Sequence, residues 1–300
     1  MKILAVGESS NADLRFLRKV KNHEIDWFDT VKSASNRFSH SELAGLKYHL
    51  RQNRYDLIFT GRNPTVTDRL FPANLVSNLG RFAKYPKSFG SIMAGRLAGK
   101  TPLIVMDRGD SPVIGSSNID LFKACSLYFK RELPANMLNT FLNSQPHLAS
   151  RTAIFSEMGS LMHKLRPVPI GFNADLCSKT PLDPAKTIDI FFAGKTERNP
   201  GRYEFFRALQ DLGDQGIRIE ISKERLDFAT YLQKCASSYL VWSPEGRGWD
   251  CLRHYEVAYA GSVPVINYPW IRRYKPLRIG NTHYFTAMSR NPSGKSSLKP

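Results

Sequence analysis

The sequence has few cysteines and no long apolar run, the features that mark disulfide-rich, zinc-binding and membrane proteins. Its four cysteines (Cys125, Cys177, Cys235 and Cys251) are scattered and form no CxxC pair. This scarcity argues against a disulfide framework or a cysteine zinc site and fits a reducing compartment. No apolar run approaches the ~20 residues of a membrane span, and the N-terminus has no signal-peptide pattern. We therefore expect a cytoplasmic protein.

Acidic residues are also scarce. The chain has 26 acidic against 43 basic residues, a net charge of +17, and a field of that size attracts nucleic acid, anionic lipid or negatively charged glycans. The basic residues are spread along the chain, which favours a basic surface over a disordered arm. Nucleic acid is the least favoured partner, because no RRM, zinc-finger or helix-turn-helix signature is present. An anionic membrane partner would place the protein at the inner face of a membrane.

What the sequence does contain is an alternation of apolar strands and helical segments over 300 residues, a length that fits two domains. The first half predicts strands at 2–6, 25–28, 57–59, 102–106 and 127–129, with helical periodicity at 12–20 and 43–50. Such a β-α-β-α-β run predicts a Rossmann-like domain. No GxGxxG follows the first strand, so a bound dinucleotide is not expected.

The second half repeats this alternation. Strands are predicted at 188–193, 217–221, 240–242 and 263–266, and helices from Pro200, at 228–235 and at 251–260. The proline-bearing run 166–172 is predicted to begin a linker, with the domain boundary near residue 173. We therefore predict an α/β protein with an N-terminal Rossmann-like domain at 1–172, a C-terminal one at 173–287 and a disordered basic tail at 288–300.

The stretch from Tyr239 to Tyr268 carries the clearest functional pattern. Its first strand ends at Ser243, and a glycine-rich loop leads to Asp250, which we predict to be the N-cap of a helix. Gly261 is placed as the C′ residue that ends this helix. The result is a βαβ unit with parallel strands.

Polar residues of this stretch suggest an anion site. Arg253 and Glu256 are three apart and share one helix face, and the loop through Ser243, Glu245 and Gly246 precedes a helix N-terminus, where anions bind. Amides and the arginine could hold a diphosphate, and the carboxylate could hold ribose hydroxyls. The alternative is a surface ion pair worth little, and spacing alone does not decide between the two.

The run Arg253-His-Tyr-Glu256, followed by Ala260-Gly-Ser-Val-Pro-Val-Ile266, resembles the C-terminal signature of GT-B glycosyltransferases, most closely their exostosin-like branch. The resemblance implies two Rossmann-like domains facing across a cleft, with Glu256 at the ribose of a nucleotide-sugar donor. The sequence departs from the family at Gly248, where retaining enzymes often carry a second glutamate, and no helix is evident after Phe285.

A second predicted helix N-terminus lies after the strand at 188–193. Lys195 and Arg202 are the predicted diphosphate ligands there, and Arg198 is a further candidate. This segment also resembles the exostosin-like pattern, in which an arginine follows a Phe-x-Gly strand end. The alternative is that these are solvated cations of a basic protein.

Acidic residues at strand ends of the first half are candidates for the base that deprotonates an acceptor hydroxyl. Asp107 and Glu132 are the predicted catalytic residues, although acids at strand ends are also ordinary loop and cap residues. Four histidines are rival bases without supporting context: His40, His49, His147 and His163.

Taken with these patterns, the resemblance implies a glycosyltransferase that moves a sugar from a nucleotide sugar to a glycan or lipid-linked acceptor. The nucleotide sugar is a co-substrate and no other cofactor is expected. Metal independence is expected because no Asp-x-Asp motif is present. The alternative is a non-enzymatic polyanion- or nucleic-acid-binding protein on a degenerate GT-B-like fold.

Overall fold

The computed structural model divides the chain into two compact units, Met1–Val168 with Ile271–Arg273, and Pro169–Trp270 with Tyr274–Pro300. The structure describes residues 1–7, 14–28, 40–52, 54–62, 95–96, 98–141, 157–183, 185–194, 200–213, 215–222, 224–274, 284–286, 288–290 and 296–298.

The first unit is built on a six-stranded parallel sheet in the order β2-β1-β3-β4-β5-β6. Its strands are β1 (Lys2–Val6), β2 (Glu24–Phe28), β3 (Leu57–Gly61), β4 (Leu103–Asp107), β5 (Leu127–Lys130) and β6 (Leu165–Pro167). Its helices with fully described limits are α1 (His40–Arg51) and α2 (Ser116–Ala124), with 3-10 helices at Arg15–Lys19, Met137–Phe141 and Met162–Lys164.

Apolar residues on both faces of the strands explain why this sheet is covered on both sides. Leu4 and Val6 of β1 join a core that includes Leu46 of α1 and Phe122 of α2. Ala5, which points the other way, packs in a second core with Leu14, Leu17 and Met106. Strands buried on both faces are typical of parallel sheets with crossover connections.

The second unit is built on a five-stranded parallel sheet in the order β11-β10-β9-β7-β8. Its strands are β7 (Ile188–Ala193), β8 (Ile219–Ser222), β9 (Ser238–Trp242), β10 (Val263–Asn267) and β11 (Tyr284–Thr286). Its helices are α3 (Ala174–Ser178), α4 (Pro200–Gly213), α5 (Phe228–Ala236) and α6 (Leu252–Tyr259). The short strands β12 (Met288–Arg290) and β13 (Ser296–Leu298) form a separate antiparallel pair.

The two units share one topology. If the strands of each unit are numbered in chain order, both sheets contain the sequence 2-1-3-4-5, and the first unit adds a sixth strand at its far edge. In this doubly wound arrangement the chain reverses direction across the sheet, and ligands bind outside the carboxyl ends of the two strands at that switch point. These strands are β1 and β3 in the first unit, and β7 and β9 in the second.

The predicted fold class, α/β with two Rossmann-like parallel-sheet domains, is confirmed. Some local predictions are wrong. Arg166 and Pro167, predicted to lie in the linker, belong to β6, which pairs with Tyr128, Phe129 and Lys130 of β5. The segment from Pro134 to Asn143 has the pattern of a helix with a proline near its start, but its described part forms only a 3-10 helix, Met137–Phe141.

The domain limits of 1–172, 173–287 and 288–300 stay predictions. They did not include the return of Ile271–Arg273 to the first unit, where Ile271 bridges Pro134 and the Arg272 amide donates to the Leu133 carbonyl at 2.7 Å.

The N-cap of α6 is Cys251 and not Asp250 as predicted, and it makes no side-chain capping bond. The Asp250 carboxylate is buried, and it accepts hydrogen bonds from the Tyr255 hydroxyl at 2.7 Å and from the Ile170 amide. Its oxygens therefore tie the segment that opens the second unit to α6.

Among the described helices, none is long and apolar enough to cross a membrane.

Candidate functional site

The switch point of the second unit brings together the ends of β7 and β9. These strands pair in parallel, with Ile190 opposite Leu240 and Phe191 opposite Val241. They therefore end at the same edge of the sheet, where β7 leads into Gly194 and β9 into Ser243. A ligand at this edge would meet the side chains that α6 presents there.

Arg253, in the first turn of α6, reaches this edge. Its guanidinium lies over the Phe192 ring, 5.6 Å from the ring centroid, and a Cβ placed on Gly194 would lie only 3.2 Å from Arg253 Nη2. Its Nη1 is buried and has no hydrogen-bond partner in the described part of the chain. A buried guanidinium N–H without a partner is costly, and an anion bound at this edge would satisfy it.

Glu256 follows one turn later on α6 and is half-buried. Burial raises the pKa of its carboxyl, and the positive charge of Arg253 and the nearby Tyr231 hydroxyl oppose that rise only in part. No ion pair between Arg253 and Glu256 is found among the described side chains. The structure therefore does not support the alternative that these two residues are simply a surface ion pair.

Tyr231 of α5 is a residue that the sequence analysis missed. Its hydroxyl is buried and makes no well-formed hydrogen bond to any described residue, and burial is the main reason that its pKa is raised. Glu256 and Arg253 both influence it electrostatically. Arg253 Nη1 is thus an unpaired donor near a half-buried carboxylate and a buried hydroxyl, a setting suited to a ligand with hydroxyl and phosphate groups.

Buried hydrogen bonds fix the loop from Ser243 to Cys251. Ser243 is buried, and its Oγ lies 2.7 Å from His254 Nδ1, while His254 Nε2 lies 2.8 Å from the Trp249 carbonyl. A carbonyl can only accept, so Nε2 carries the hydrogen, and in the neutral ring Nδ1 accepts from Ser243. The Ser243 hydroxyl thus holds the loop in place.

Backbone amides of this loop are also engaged. The Ser243 amide donates to Val265 at 2.8 Å and the Gly246 amide to Gly248 at 2.9 Å. The Glu245 amide donates to Asn267 Oδ1 at 2.9 Å, and a Glu245 carboxylate oxygen lies 3.4 Å from Trp270 Nε1. The predicted cluster of free amides is therefore not offered by these three residues. Contact of Ser243, Glu245 and Gly246 with a ligand stays a prediction.

The other predicted diphosphate residues lie outside the described contacts. Lys195 and Arg198 fall in 195–199, outside the described residues, and Arg202 lies in α4 with a side chain that is not described. Their roles stay predictions.

Asp107, a predicted catalytic acid of the first unit, is at the end of β4 and is surrounded by donors. Its Oδ2 accepts from Tyr128 at 3.0 Å and Lys130 at 2.8 Å, and its Oδ1 accepts from the Gly109 amide at 3.0 Å. The Arg62 Nε lies 3.5 Å from the same Oδ1. With both oxygens engaged, these contacts favour a structural carboxylate, and its role as a base stays a prediction.

Glu132, the other predicted acid, is fully buried and accepts from Arg131 Nε at 3.2 Å. Arg131 also pairs with Asp110, and Lys130 is wholly buried. Three consecutive charged side chains, beginning with the last residue of β5, are therefore buried, and each has a counterion. The catalytic role of Glu132 stays a prediction.

The two rival histidines whose side chains are described, His49 and His163, make only local contacts. His49 Nδ1 lies 2.7 Å from Arg54 Nη2, and His163 Nδ1 lies 2.9 Å from the Ser160 carbonyl. The imidazoles of His40 and His147 are outside the description. Among the described residues no group of three or more His, Cys, Asp or Glu side chains could hold a metal ion.

Comparison with known proteins gives no matching family model and no match among curated proteins. Among solved structures, an α-glucosyltransferase in complex with UDP and a 13-mer DNA is 10% identical, with a TM-score of 0.46, over 89% of this chain and 80% of its own. The lipopolysaccharide outer core galactosyltransferase WaaB is 10% identical, with a TM-score of 0.40, over 95% of this chain and 86% of its own. MurG of Acinetobacter baumannii is 14% identical, with a TM-score of 0.35, over 89% of this chain and 78% of its own.

Proposed function

We propose that this chain is a glycosyltransferase that moves a sugar from a nucleotide-sugar donor to a glycan or lipid-linked acceptor. The observation that carries the proposal is the unpaired, buried Nη1 of Arg253 at the switch point of the second unit, one turn before the half-buried Glu256. The exostosin-like motif that contains both residues supports it.

The roles of these residues follow from their chemistry. When the bond between sugar and diphosphate breaks, negative charge grows on the leaving diphosphate, and a fixed guanidinium stabilises that charge. Glu256 accepts hydrogen bonds from ribose hydroxyls, and Tyr231 supplies a further hydroxyl beside it. Because arginine supplies the positive charge, the proposed transfer is metal-independent, and activity should persist in EDTA.

Thermal unfolding with a panel of nucleoside diphosphates (UDP, GDP, CDP and ADP) tests the proposal. One of them should stabilise the protein by about 2.7 kcal/mol at a hundredfold excess over its Kd, and Arg253→Ala should remove most of that gain. The matched control is Arg218→Ala. Arg218 precedes β8 at the opposite edge of the same sheet, is 58% exposed and pairs with Asp189. Its loss should leave nucleotide stabilisation unchanged.

A second arm separates an enzyme from a binding protein. Nucleotide sugars with the stabilising base are incubated with glycan and lipid-linked acceptors, and release of the nucleoside diphosphate is measured. Stabilisation without turnover on any acceptor would favour a binding protein on this fold. Absence of stabilisation by every diphosphate in the panel would overturn the proposal.

The net charge of +17 favours one alternative, a non-enzymatic protein that binds polyanions. Such a protein would be stabilised by nucleic acid or a sulfated glycan, with a steep salt dependence, and Arg253→Ala and Arg218→Ala would weaken that effect equally. The proposed site requires the two variants to differ.

A further inference from the structure

The switch point of the first unit also carries an arginine. Strand β1 lies between β2 and β3, so the chain reverses direction between β1 and β3. Arg62 is the first residue after β3, and its amide donates to the Met106 carbonyl of β4 at 3.1 Å. Its backbone is therefore fixed at the sheet edge where parallel sheets bind ligands.

An ion pair and the lack of a side chain at Gly109 set the position of the Arg62 guanidinium. Its Nε lies 3.5 Å from the buried Asp107 carboxylate, and its Cζ lies 2.5 Å from the position that a Cβ would take on Gly109. Any side chain at position 109 would displace the guanidinium. Because Gly109 has no side chain, Arg62 can lie directly against the loop after β4.

Among the described residues, Arg62 shares its counterion, Asp107, with a closer cation. Asp107 already has a closer cation, Lys130 at 2.8 Å, and that pair is buried. Arg131 is matched with Glu132 and Asp110. Within the described residues neither Nη of Arg62 donates a hydrogen bond, and the side chain is 31% exposed. A fixed, partly exposed guanidinium fork without acceptors fits the two oxygens of an oxyanion.

We infer that Arg62 binds an oxyanion, a phosphate or carboxylate group, carried by the acceptor substrate. This rests on the proposed function, because the donor diphosphate is assigned to the switch point of the second unit and leaves the first unit for the acceptor. The group bound is a substituent of the acceptor and takes no part in bond breaking.

Isothermal titration with inorganic phosphate and with glucuronate tests the inference. The protein is first saturated with the nucleoside diphosphate from the panel that stabilises it most, so that the second unit is filled. At least one probe should still bind, and Arg62→Ala should weaken that probe at least tenfold. Gly109→Ala keeps the charge but displaces the guanidinium, and it should weaken the same probe while the diphosphate affinity stays unchanged.

Arg54→Ala is the matched control, because Arg54 precedes the amino end of β3 and its loss should leave both affinities unchanged. The inference is overturned if neither probe binds beside the diphosphate, or if Arg62→Ala and Arg54→Ala bind the probe equally. If no diphosphate binds, the probes are titrated alone. A loss of probe binding specific to Arg62 and Gly109 would then contradict the proposed function and leave an oxyanion site in the first unit.

Discussion

At the scale of single residues, burial decides what the charged groups of the first unit can do. Lys130 has no exposed surface, and its ammonium lies 2.8 Å from Asp107. An ammonium ion without water needs a counterion, so Asp107 balances a buried charge before it can serve any other purpose. A base that must repeatedly take up and release a proton would leave Lys130 unbalanced in each cycle.

Asp107→Asn tests this interpretation. Because the substitution leaves the Lys130 charge buried without a counterion, we expect the free energy of unfolding to fall by about 3–5 kcal/mol, measured by urea denaturation. Asp110→Asn is the control, since Asp110 is half-exposed and its loss should cost far less. A large loss of transfer activity with unchanged stability would instead support Asp107 as the base.

Glu256→Gln should separate stability from binding. Burial raises the pKa of Glu256 above its ordinary value of 4.5, so the folded state holds this proton more tightly than the unfolded state. Between those two pKa values the contribution of Glu256 to stability falls as pH rises, and at neutral pH its ionisation costs stability. We therefore expect Glu256→Gln to unfold at a higher temperature than wild type at pH 7.

Measurement of the unfolding temperature from pH 3.5 to 8 checks the direction of the Glu256 pKa shift. The difference between Glu256→Gln and wild type should vanish below the ordinary pKa, where both side chains are neutral. Stabilisation by a nucleoside diphosphate should be reduced in the variant at pH 7, because an amide replaces the carboxylate that accepts from ribose. A variant that is less stable than wild type at pH 7 would contradict the assigned direction of the pKa shift.

At the scale of the elements, the end of α6 matches its sequence signal in detail. Gly261 has φ +76°, its amide donates to Ala258, and the Ser262 amide donates to Val257 at 3.2 Å. This is the Schellman pattern that a C′ glycine predicts. The end of α6 in turn sets the start of β10, which completes the βαβ unit that carries Arg253 and Glu256.

Two glycine-to-alanine substitutions should therefore change the free energy of unfolding in opposite directions. Gly261→Ala should destabilise by about 1 kcal/mol or more, because an alanine is strained at positive φ; no heavy atom within 4 Å of the added Cβ adds a clash. Gly45→Ala, in the interior of α1 and equally uncrowded, should stabilise by about 0.5–1 kcal/mol. Urea titration of both variants checks this pair, and equal signs would contradict it.

The elements that sequence analysis predicted are those with a strong apolar pattern. The central strands of both sheets are continuous apolar runs, and α5 and α6 have clear ends. The strand β6 was missed because Leu165–Pro167 is short, contains a proline and lies at the sheet edge, where a missing amide is tolerated. The segment from Pro134 has helical composition, but its first residues, Pro134 and Ala135, contact Ile271 and Arg272 of the returning segment.

At the scale of the whole molecule, the candidate site shows the limit of prediction from local patterns. Helical spacing placed Arg253 and Glu256 on one face of α6. It could not show that the guanidinium ends against Gly194, a residue distant in sequence. Tyr231 has the spacing of a core residue on α5, and nothing local marks it. The sequence does contain a signal for Arg62, because this residue is a cation that follows a predicted strand and a glycine. Its importance, however, depends on the strand order, which the sequence does not show.

The net charge of +17 makes the whole molecule attractive to any polyanion, so a specific site must be distinguished from the general field. At 0.1 M ionic strength the Debye length is about 10 Å, and at 1 M it is about 3 Å. Salt therefore screens exposed charges strongly, whereas it screens a guanidinium with a buried Nη1 such as that of Arg253 much less.

We expect a single-stranded DNA of mixed sequence to raise the unfolding temperature only at low salt, with the effect lost by 0.5 M KCl as counterion release predicts. The shift produced by the best nucleoside diphosphate should persist at 0.5 M KCl when its concentration is kept at a hundredfold excess over the Kd measured at that salt. Arg218→Ala should reduce the DNA effect as much as Arg253→Ala does, while only Arg253→Ala reduces the diphosphate effect. A diphosphate shift that disappears with salt in parallel with the DNA shift would show that the general positive field, and not a built site, binds both.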